Sequence, residues 1–559
     1  MGSADNHPMM ADPVSSDAAP DRRPLLLGLL LTLATCAVFG GILSAGFVRW
    51  DDGLHVYANP YLHPISPDSL ARLWKSPYQN LYVPLSYSLY AALASVAHLP
   101  RPTATPDGLW IDLNPRVFHA ACLALHAANV LLVFALLRRL LPRLTPSTPA
   151  VTDWAAGAGA LLFAVHPVQV ESVAWISEMR GLLAGLFSLF ALLAYVRSGD
   201  GRRWYALATL CFGLALLSKP SAVAVPLLAV CLETLVLRRP ARAWRVGLAG
   251  WGGLALLFLA LTHAAQPVTE DIVTPLWTRP FIAGDALLFY AGKILWPARL
   301  GIDYGRSPIW LTAQTWFPVT GVLALTVALA IWLGRHRAPA LAASAALFAA
   351  SLLPILGLTP FTFQVFSTVA DRYVYLALLG PALGLACGLS FLVRMPQPSL
   401  RLALRATCAC VLVLLGLCAH TQTLAWQDSI ALFTQALSVN PQSWGACNNL
   451  ASVALDLGRP SDALPLLREA VRLRPTYAEA HANRGRAFLV LGERVGAESE
   501  FRAALRSKPD LPLAYTGLGA ALLSEGRATE AGAAFRQALA LNPESPQARA
   551  GLRMAEAGR

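Results

Sequence analysis

Eleven apolar runs constrain this chain more than anything else in it. They lie at 24–48, 117–137, 154–166, 181–197, 203–218, 221–237, 244–263, 312–333, 338–357, 373–393 and 402–422. A bilayer core offers no water to backbone N–H and C=O groups, so a segment that crosses it must pair them internally, which runs of this length do as helices. A span needs about 20 residues, and the shorter runs take their ends from flanking segments. The stretch 282–296 reads either as a half-span that dips in and returns or as a further full span. The expected architecture is all-α: a polytopic membrane bundle of about eleven spans over 24–424.

The composition agrees. The chain is 56% hydrophobic and 14% charged, with mean hydropathy +0.51, whereas soluble domains carry about 25% charged residues. The net charge of +12 does not point to nucleic acid, because the basic residues sit in short clusters between apolar runs, as membrane topology requires. Eight of the nine cysteines fall inside apolar runs and no CxxC or Cys/His metal spacing occurs, so neither a disulfide framework nor a structural zinc site is expected. Residues 1–23 are polar and are expected to form a disordered cytoplasmic tail. The run that follows them is too long for the apolar core of a cleaved signal peptide.

Arginine placement sets the orientation. With the N-terminus inside, Arg22 and Arg23, Arg138, Arg139 and Arg143, Arg197, Arg202 and Arg203, the 238–245 cluster, Arg335 and Arg337, and Arg394, Arg401 and Arg405 all fall on the cytoplasmic side. The loop 49–116 and everything after 424 then lie outside.

The region 425–559 is a repeat array. Prolines recur at Pro441, Pro475, Pro509 and Pro543, and glycines at Gly458, Gly492 and Gly526, all with a period of 34 residues. That period belongs to tetratricopeptide (TPR) helix–turn–helix units. The glycine ends the first helix and the proline follows the second. About three full repeats with a partial one at each end make an extracytoplasmic α-solenoid. Such arrays usually bind extended peptides; the bland alternative is dimerisation or stiffening.

Asp51 and Asp52 stand just outside the first run, where carboxylates lose hydration and are costly without a task or a partner. One reading makes them the base of an enzyme that uses a lipid-linked sugar: a carboxylate takes the proton of an acceptor hydroxyl as it attacks the sugar. The other has them cap or pair locally with Arg49 or another loop arginine. A divalent ion between Asp51, Asp52 and His55 would have an incomplete ligand set, so no metal or other cofactor is expected.

Further polar groups converge on the same face. The loop after the third run holds His166, Glu171, Glu178 and Arg180; Lys219 stands at another outer junction, suited to a phosphate; Asp371, Arg372 and Tyr373 open a later span. Together with Tyr82 and a helix expected over 85–97 along the outer leaflet, they suit a charged, membrane-borne ligand. His119, His126 and Asn129 share one face of the second span. They line a cavity or bond between helices, and interhelical bonding is the preferred reading.

The order Trp50-Asp51-Asp52, Tyr82-Val83-Pro84-Leu85, His166-Pro167-Val168-Gln169-Val170-Glu171-Ser172-Val173-Ala174-Trp175, Leu217-Ser218-Lys219-Pro220 and Ala370-Asp371-Arg372-Tyr373-Val374-Tyr375 resembles the TMTC family. These are transmembrane-and-TPR protein O-mannosyltransferases of the GT-C class. The resemblance covers nearly the whole chain. It implies an inverting transfer of mannose or another hexose from a polyprenyl-phosphate carrier to a hydroxyl of a protein acceptor. It also implies an aspartate of the first outer loop as base and basic residues (Arg180, Lys219, Arg372) at the donor phosphate, with His55, Tyr82, His166, Glu171, Glu178, Asp371 and Tyr373 lining the site. Such families commonly read Glu-Arg-Lys-Asp where this chain has Glu178-Met179-Arg180-Gly181, which changes the charge available there. A composition rich in Ala, Leu, Arg and Pro and poor in Lys suits a GC-rich bacterium, with the protein in its inner membrane, the array in the periplasm and undecaprenyl phosphate as carrier.

Three rivals remain from sequence. A polytopic anchor for a TPR scaffold in envelope assembly has no need of the outer-face charges. A flippase would want ionisable groups near the bilayer centre, whereas the strong charges here lie at span ends. The third keeps the chemistry and changes the acceptor to a polysaccharide or lipid.

Overall fold

A computed structural model describes residues 21–266 and 274–558. Most of the expected cytoplasmic tail, residues 1–20, lies outside the described residues.

The chain is a helical bundle followed by a helical solenoid. The bundle begins with α1 (Arg23–Phe39), extended by a 3-10 turn at Gly40–Ser44. The outer loop follows, with α2 (Pro67–Lys75), α3 (Pro84–Ala97) and a hairpin of β1 (His98–Ala104) and β2 (Trp110–Leu113). Then come α4 (Pro115–Leu144), α5 (Pro149–Val165), α6 (Val170–Ala174), α7 (Met179–Val196), α8 (Arg202–Ser218), α9 (Val225–Leu232) and α10 (Arg245–Ala265). After the undescribed stretch are α11 (Arg279–Leu295), α12 (Pro308–Thr312), α13 (Phe317–Leu333), α14 (Pro339–Leu352), α15 (Leu379–Leu392) and α16 (Pro398–Thr423). Among the described residues, six helical segments are long and apolar enough to cross a membrane: Arg23–Ser44, Pro115–Leu144, Ile176–Asp200, Pro220–Leu237, Arg245–Ala265 and Pro398–Trp426. Shorter apolar helices pack between them.

α4 and α5 form the centre of the bundle, touching α1, α7 and α15. Their crossings are close because the interface residues are small. A Cβ on Gly159 of α5 would lie 2.8 Å from Leu137 and 3.1 Å from Ala386. The polar stripe of α4 is used between helices: His126 Nδ1 meets the Tyr375 hydroxyl at 2.9 Å, and Asn129 Nδ2 donates to the same hydroxyl at 2.8 Å and to the Leu182 carbonyl at 3.0 Å. Inside a bilayer such groups must find partners in neighbouring helices.

The ambiguous stretch 282–296 is one continuous helix, α11, with no return. Gly284 faces Gly321 of α13 so closely that a Cβ there would lie 3.0 Å from the opposing Cα. Its buried Asp285 is held by Arg306 Nη2 at 2.6 and 2.8 Å.

The array follows the sequence period. α17 (Ser429–Val439) closes a partial repeat; α18 (Trp444–Asp456) and α19 (Pro460–Leu473), α20 (Ala478–Val490) and α21 (Arg494–Ser507), and α22 (Pro512–Ser524) and α23 (Ala528–Leu541) are full repeats; α24 (Pro546–Ala557) begins another. Gly458, Gly492 and Gly526 take φ of 71°, 83° and 80°, the left-handed turn that glycine alone adopts without a Cβ penalty. Each repeat proline follows the second helix by two residues. Phe501 and Phe535 are the large buried side chains that hold repeat to repeat, each ring lying on glycines of the helices beside it, Gly485 for Phe501 and Gly519 for Phe535.

The array is seated on the outer loop. Arg49, 11% exposed, pairs with Asp456 of α18 and, at 3.4 Å, with Asp107. Asp107 also accepts from Ser429 Oγ at 2.5 Å, and Asp303 from Ser443 Oγ at 2.6 Å. Trp444 stacks on Phe366 at 4.5 Å.

Phe501→Ala is expected to weaken the array by about 3–5 kcal/mol, the usual cost of deleting a buried aromatic ring. Hydrogen exchange should rise across α20–α22 and stay unchanged in α4 and α5; unchanged exchange in the array would contradict the packing.

Candidate functional site

α1 gives way at its outer end to an extended segment and then to the turn that holds Asp51 and Asp52. Adjacent in sequence, they are opposite in environment. Asp52 is 1% exposed. Its Oδ2 accepts from the Val48 N–H at 2.9 Å, and its Oδ1 accepts from the Ser177 N–H at 2.9 Å and the Ser177 hydroxyl at 2.5 Å. Both oxygens are therefore committed to fastening the first outer loop to the turn that opens α7. Burial pushes the Asp52 carboxyl up to about 6, against the three hydrogen bonds that favour its anion.

Asp51 keeps 32% of its side chain open. Its partner is not Arg49, which is engaged with the array, but Arg180, whose Nη2 lies 3.7 Å away. Burial of its surroundings raises the Asp51 carboxyl above the ordinary range, and Arg180 and Arg372 pull it back.

Arg180 is the hub of this corner. Its Nε lies 3.7 Å from Glu178 Oε2, and its Nη1 lies 3.4 Å from His55 Nε2. The His55 Nδ1 meets the Tyr87 hydroxyl at 3.0 Å. Burial and the facing guanidinium push His55 down to about 3, so it is a neutral imidazole whose Nε2 accepts from Arg180. Asp52 is hydrogen-bonded elsewhere, and Asp51, Glu178 and His55 are the residues arranged around Arg180. Glu178, 1% exposed, is ion-paired to Lys219.

Gly181 makes that pair possible. A Cβ there would run into Glu178 Oε1 and lie 3.2 Å from Lys219 Nζ. The departure at 178–181 thus has a local consequence: Lys219 reaches Glu178 across a position that carries no side chain.

A second ion pair lies deeper. Arg372 is bonded to Glu171 through its guanidinium, and its N–H donates to Glu171 Oε2 at 3.3 Å. The guanidinium lies 4.1 Å from the Phe363 ring, 4.8 Å from Tyr373 and 5.4 Å from Trp175. Asp371 does not pair with Arg372; the Tyr304 hydroxyl donates to it at 2.8 Å. Burial, with Glu171 nearby, pushes the Asp371 carboxyl up to about 8.

Between these pairs is a narrow cleft of about 50 Å³, lined by Gly181, Gly185, Lys219, Ser221, Arg372 and Tyr373. Lys219 and Arg372 are its cations. Tyr82 and His166 stand apart from it. The Tyr82 hydroxyl donates to the Trp74 carbonyl at 3.0 Å, and His166 spans the Val168 N–H at 3.3 Å and the Ile294 carbonyl at 3.0 Å, tying its loop to the end of α11. The sequence reading did not include Ser177, Tyr87 or Tyr304. Ser177 carried a signal, one position before Glu178, and Tyr87 lies in the 85–97 helix expected beside the site; Tyr304 carried none, since it is brought in from a distant segment.

A tetratricopeptide-repeat family model matches residues 426–478, 448–512 and 482–546. Protein O-mannosyl-transferase Tmtc1 of Drosophila melanogaster is 28% identical over 450 residues, covering 63% of this chain and 51% of that protein. Protein O-mannosyl-transferase F38B6.6 of Caenorhabditis elegans is 23% identical over 451 residues, covering 78% of this chain and 61% of that protein. The chain spans about half the length of the first of these relatives. A crystal structure of MamA protein is 25% identical and covers 23% of this chain and 71% of its own, at a TM-score of 0.22. The TMTC-like resemblance of the motifs is borne out by these relatives, and the TPR assignment by the family model.

Glu171→Gln leaves the Arg372 charge buried without a counter-charge. It is expected to cost about 3–5 kcal/mol, read as a lowered unfolding midpoint of the detergent-solubilised protein. An unchanged midpoint would mean that the pair is solvated.

Proposed function

We propose that this protein is a membrane glycosyltransferase. It moves a sugar, mannose or another hexose, from a polyprenyl-phosphate carrier to a hydroxyl of a protein acceptor, on the outer face of a bacterial inner membrane. The observation that carries the reading is the division between two adjacent carboxylates. Asp52 is spent on structure, whereas Asp51 is partly open, unbonded except to a guanidinium, and linked through Arg180 and Glu178 to Lys219, one of the two cations of the cleft. The names of the relatives support protein as the acceptor class.

In this mechanism Asp51 is the base. One of its oxygens takes the proton of a Ser or Thr hydroxyl, the hydroxyl oxygen forms a bond to the anomeric carbon, and the bond from that carbon to the phosphate oxygen breaks. The electron pair leaves with the lipid phosphate. Lys219 and Arg372, fixed in advance by Glu178 and Glu171, meet the charge that gathers on the phosphate, which costs little reorganisation at the moment of reaction. A single displacement inverts the anomeric configuration. Asp52 is a positioning residue: it locks the Asp51 turn to Ser177 and so to Arg180.

The array supports a protein acceptor by its place. Trp50, next to Asp51, lies 6.2 Å from Phe433 of α17 and 5.5 Å from Phe366, which stacks on Trp444 of α18. A chain bound by the first repeats would start within a residue of the base. The inside placement of the arginine clusters supports the orientation, with the array in the periplasm.

Asp51→Asn should lower the transfer rate by about 10²–10⁴, the range of general-base catalysis, with the protein still folded in the membrane. Asp51 must be ionised to act, and its carboxyl is raised, so activity is expected to be lost as pH falls and to recover only above the ordinary carboxylate range. Asp52→Asn should retain that acid limb at a reduced rate. Full activity of Asp51→Asn, or a wild-type profile flat down to pH ~4, would overturn the base assignment.

A further inference from the structure

We infer that the outer loop carries a divalent-metal site of the zinc class, built by His63, His98 and Asp112. These residues come from three separate pieces of the loop: the turn before α2, the first residue of β1, and β2. Hairpin pairing is what brings the last two together, since His98 is in register with Leu113, beside Asp112. Along β2, Ile111 and Leu113 are buried while Asp112 points to the other face, toward the two rings.

The three donors converge without bonding one another. Asp112 Oδ2 lies 3.6 Å from His63 Nδ1 and 3.9 Å from His98 Nδ1, both too long for hydrogen bonds. The two rings stand edge to face with centroids 5.6 Å apart. One donor atom from each residue lies within 4.8 Å of the others. The His63 Nε2 is shut from solvent and has no partner either. Two imidazoles and a carboxylate are therefore gathered at one point with none of their donor atoms used among the described residues.

The spacing suits a metal better than it suits a hydrogen bond. Tetrahedral zinc with bonds near 2.1 Å sets its ligands about 3.4 Å apart. Closing from 3.6 and 3.9 Å, and from at most 4.8 Å between the two imidazoles, needs shifts of up to about 1 Å in side chains that are 21% (His63), 44% (His98) and 42% (Asp112) exposed. Two histidines and one carboxylate are a full protein set for a zinc ion with a water in its fourth position. The exposure gives the ion a path in from the outer face.

The site is separate from the cleft. Its effect would be to fasten the 58–65 segment to the hairpin, and β2 in turn touches the helical turn Gly53–Tyr57 that carries His55. The metal is a clamp on the loop that follows the acidic pair, holding a segment that the hairpin alone does not grip. It takes no part in the transfer chemistry.

The test uses the full-length protein in detergent, stripped with a chelator and titrated with Co²⁺ as a spectroscopic probe, then with Zn²⁺ in competition. Wild type is expected to develop one equivalent of visible d–d absorption without thiolate charge-transfer bands, bleached by Zn²⁺. His98→Ala and Asp112→Asn, both at open positions, should bind at least about tenfold more weakly. Zn²⁺ should also slow proteolysis between α3 and α4 in wild type and not in either variant. Absence of the equivalent in wild type, or equal affinity in both variants, would overturn the site.

Discussion

Charges held out of water at one end of the helical bundle govern this structure. Glu178, Glu171 and Arg372 are nearly closed to solvent and Lys219 is 16% exposed, and an isolated ion in such a place costs several kcal/mol. Each is therefore matched, and the matches fix the architecture. Lys219, at the end of α8, must reach Glu178, which fixes α8 against the start of α7. Arg372 must reach Glu171, which fixes the entry of α15 against α6. Arg180 draws Asp51, Glu178 and His55 to one point. The cleft is what remains between these pairs, and its cations are pre-positioned because their partners are.

The sequence was legible where the cause is local. Apolar runs named the helices, since backbone pairing in lipid depends on little else, and a 34-residue period named the solenoid. Gly458, Gly492 and Gly526 sit at left-handed turns because only a residue without Cβ is at ease there. The site was legible as a set of charges on one face and illegible as a set of pairs. Nothing near Asp52 in the chain foretells that Ser177, 125 residues away, takes one of its oxygens, so Asp51 and Asp52 read alike until folded. His166 and Tyr82 looked like site residues by neighbourhood; Tyr82 bonds the nearby Trp74 carbonyl, and His166 ties its loop to the end of α11 through the Ile294 carbonyl. The local alternative for the acidic pair is met with other partners than Arg49, which turns toward Asp107 and Asp456: Asp52 caps the Val48 N–H, and Asp51 pairs with another loop arginine, Arg180. The 282–296 stretch depended on Gly284 and Gly321 finding each other across two helices, which hydropathy does not encode.

The join between bundle and array follows from the same chemistry. Arg49, Asp107, Ser429, Asp303 and Ser443 form a polar seam, flanked by the Trp50, Phe366 and Trp444 rings. A seam made of partly buried ion pairs and hydrogen bonds has a defined geometry, which flexible tethering lacks. The repeats are thus held in one orientation beside the acidic turn. On the proposed function, binding energy from a remote segment of an acceptor would place one hydroxyl near Asp51.

The most direct test is transfer by the purified protein in lipid vesicles, from a panel of radiolabelled polyprenyl-phosphate sugars to Ser/Thr-containing protein. The account predicts label on a hydroxyl from one such donor, with the anomeric configuration inverted. Label from no lipid-phosphate donor, or transfer with retained configuration, would contradict it.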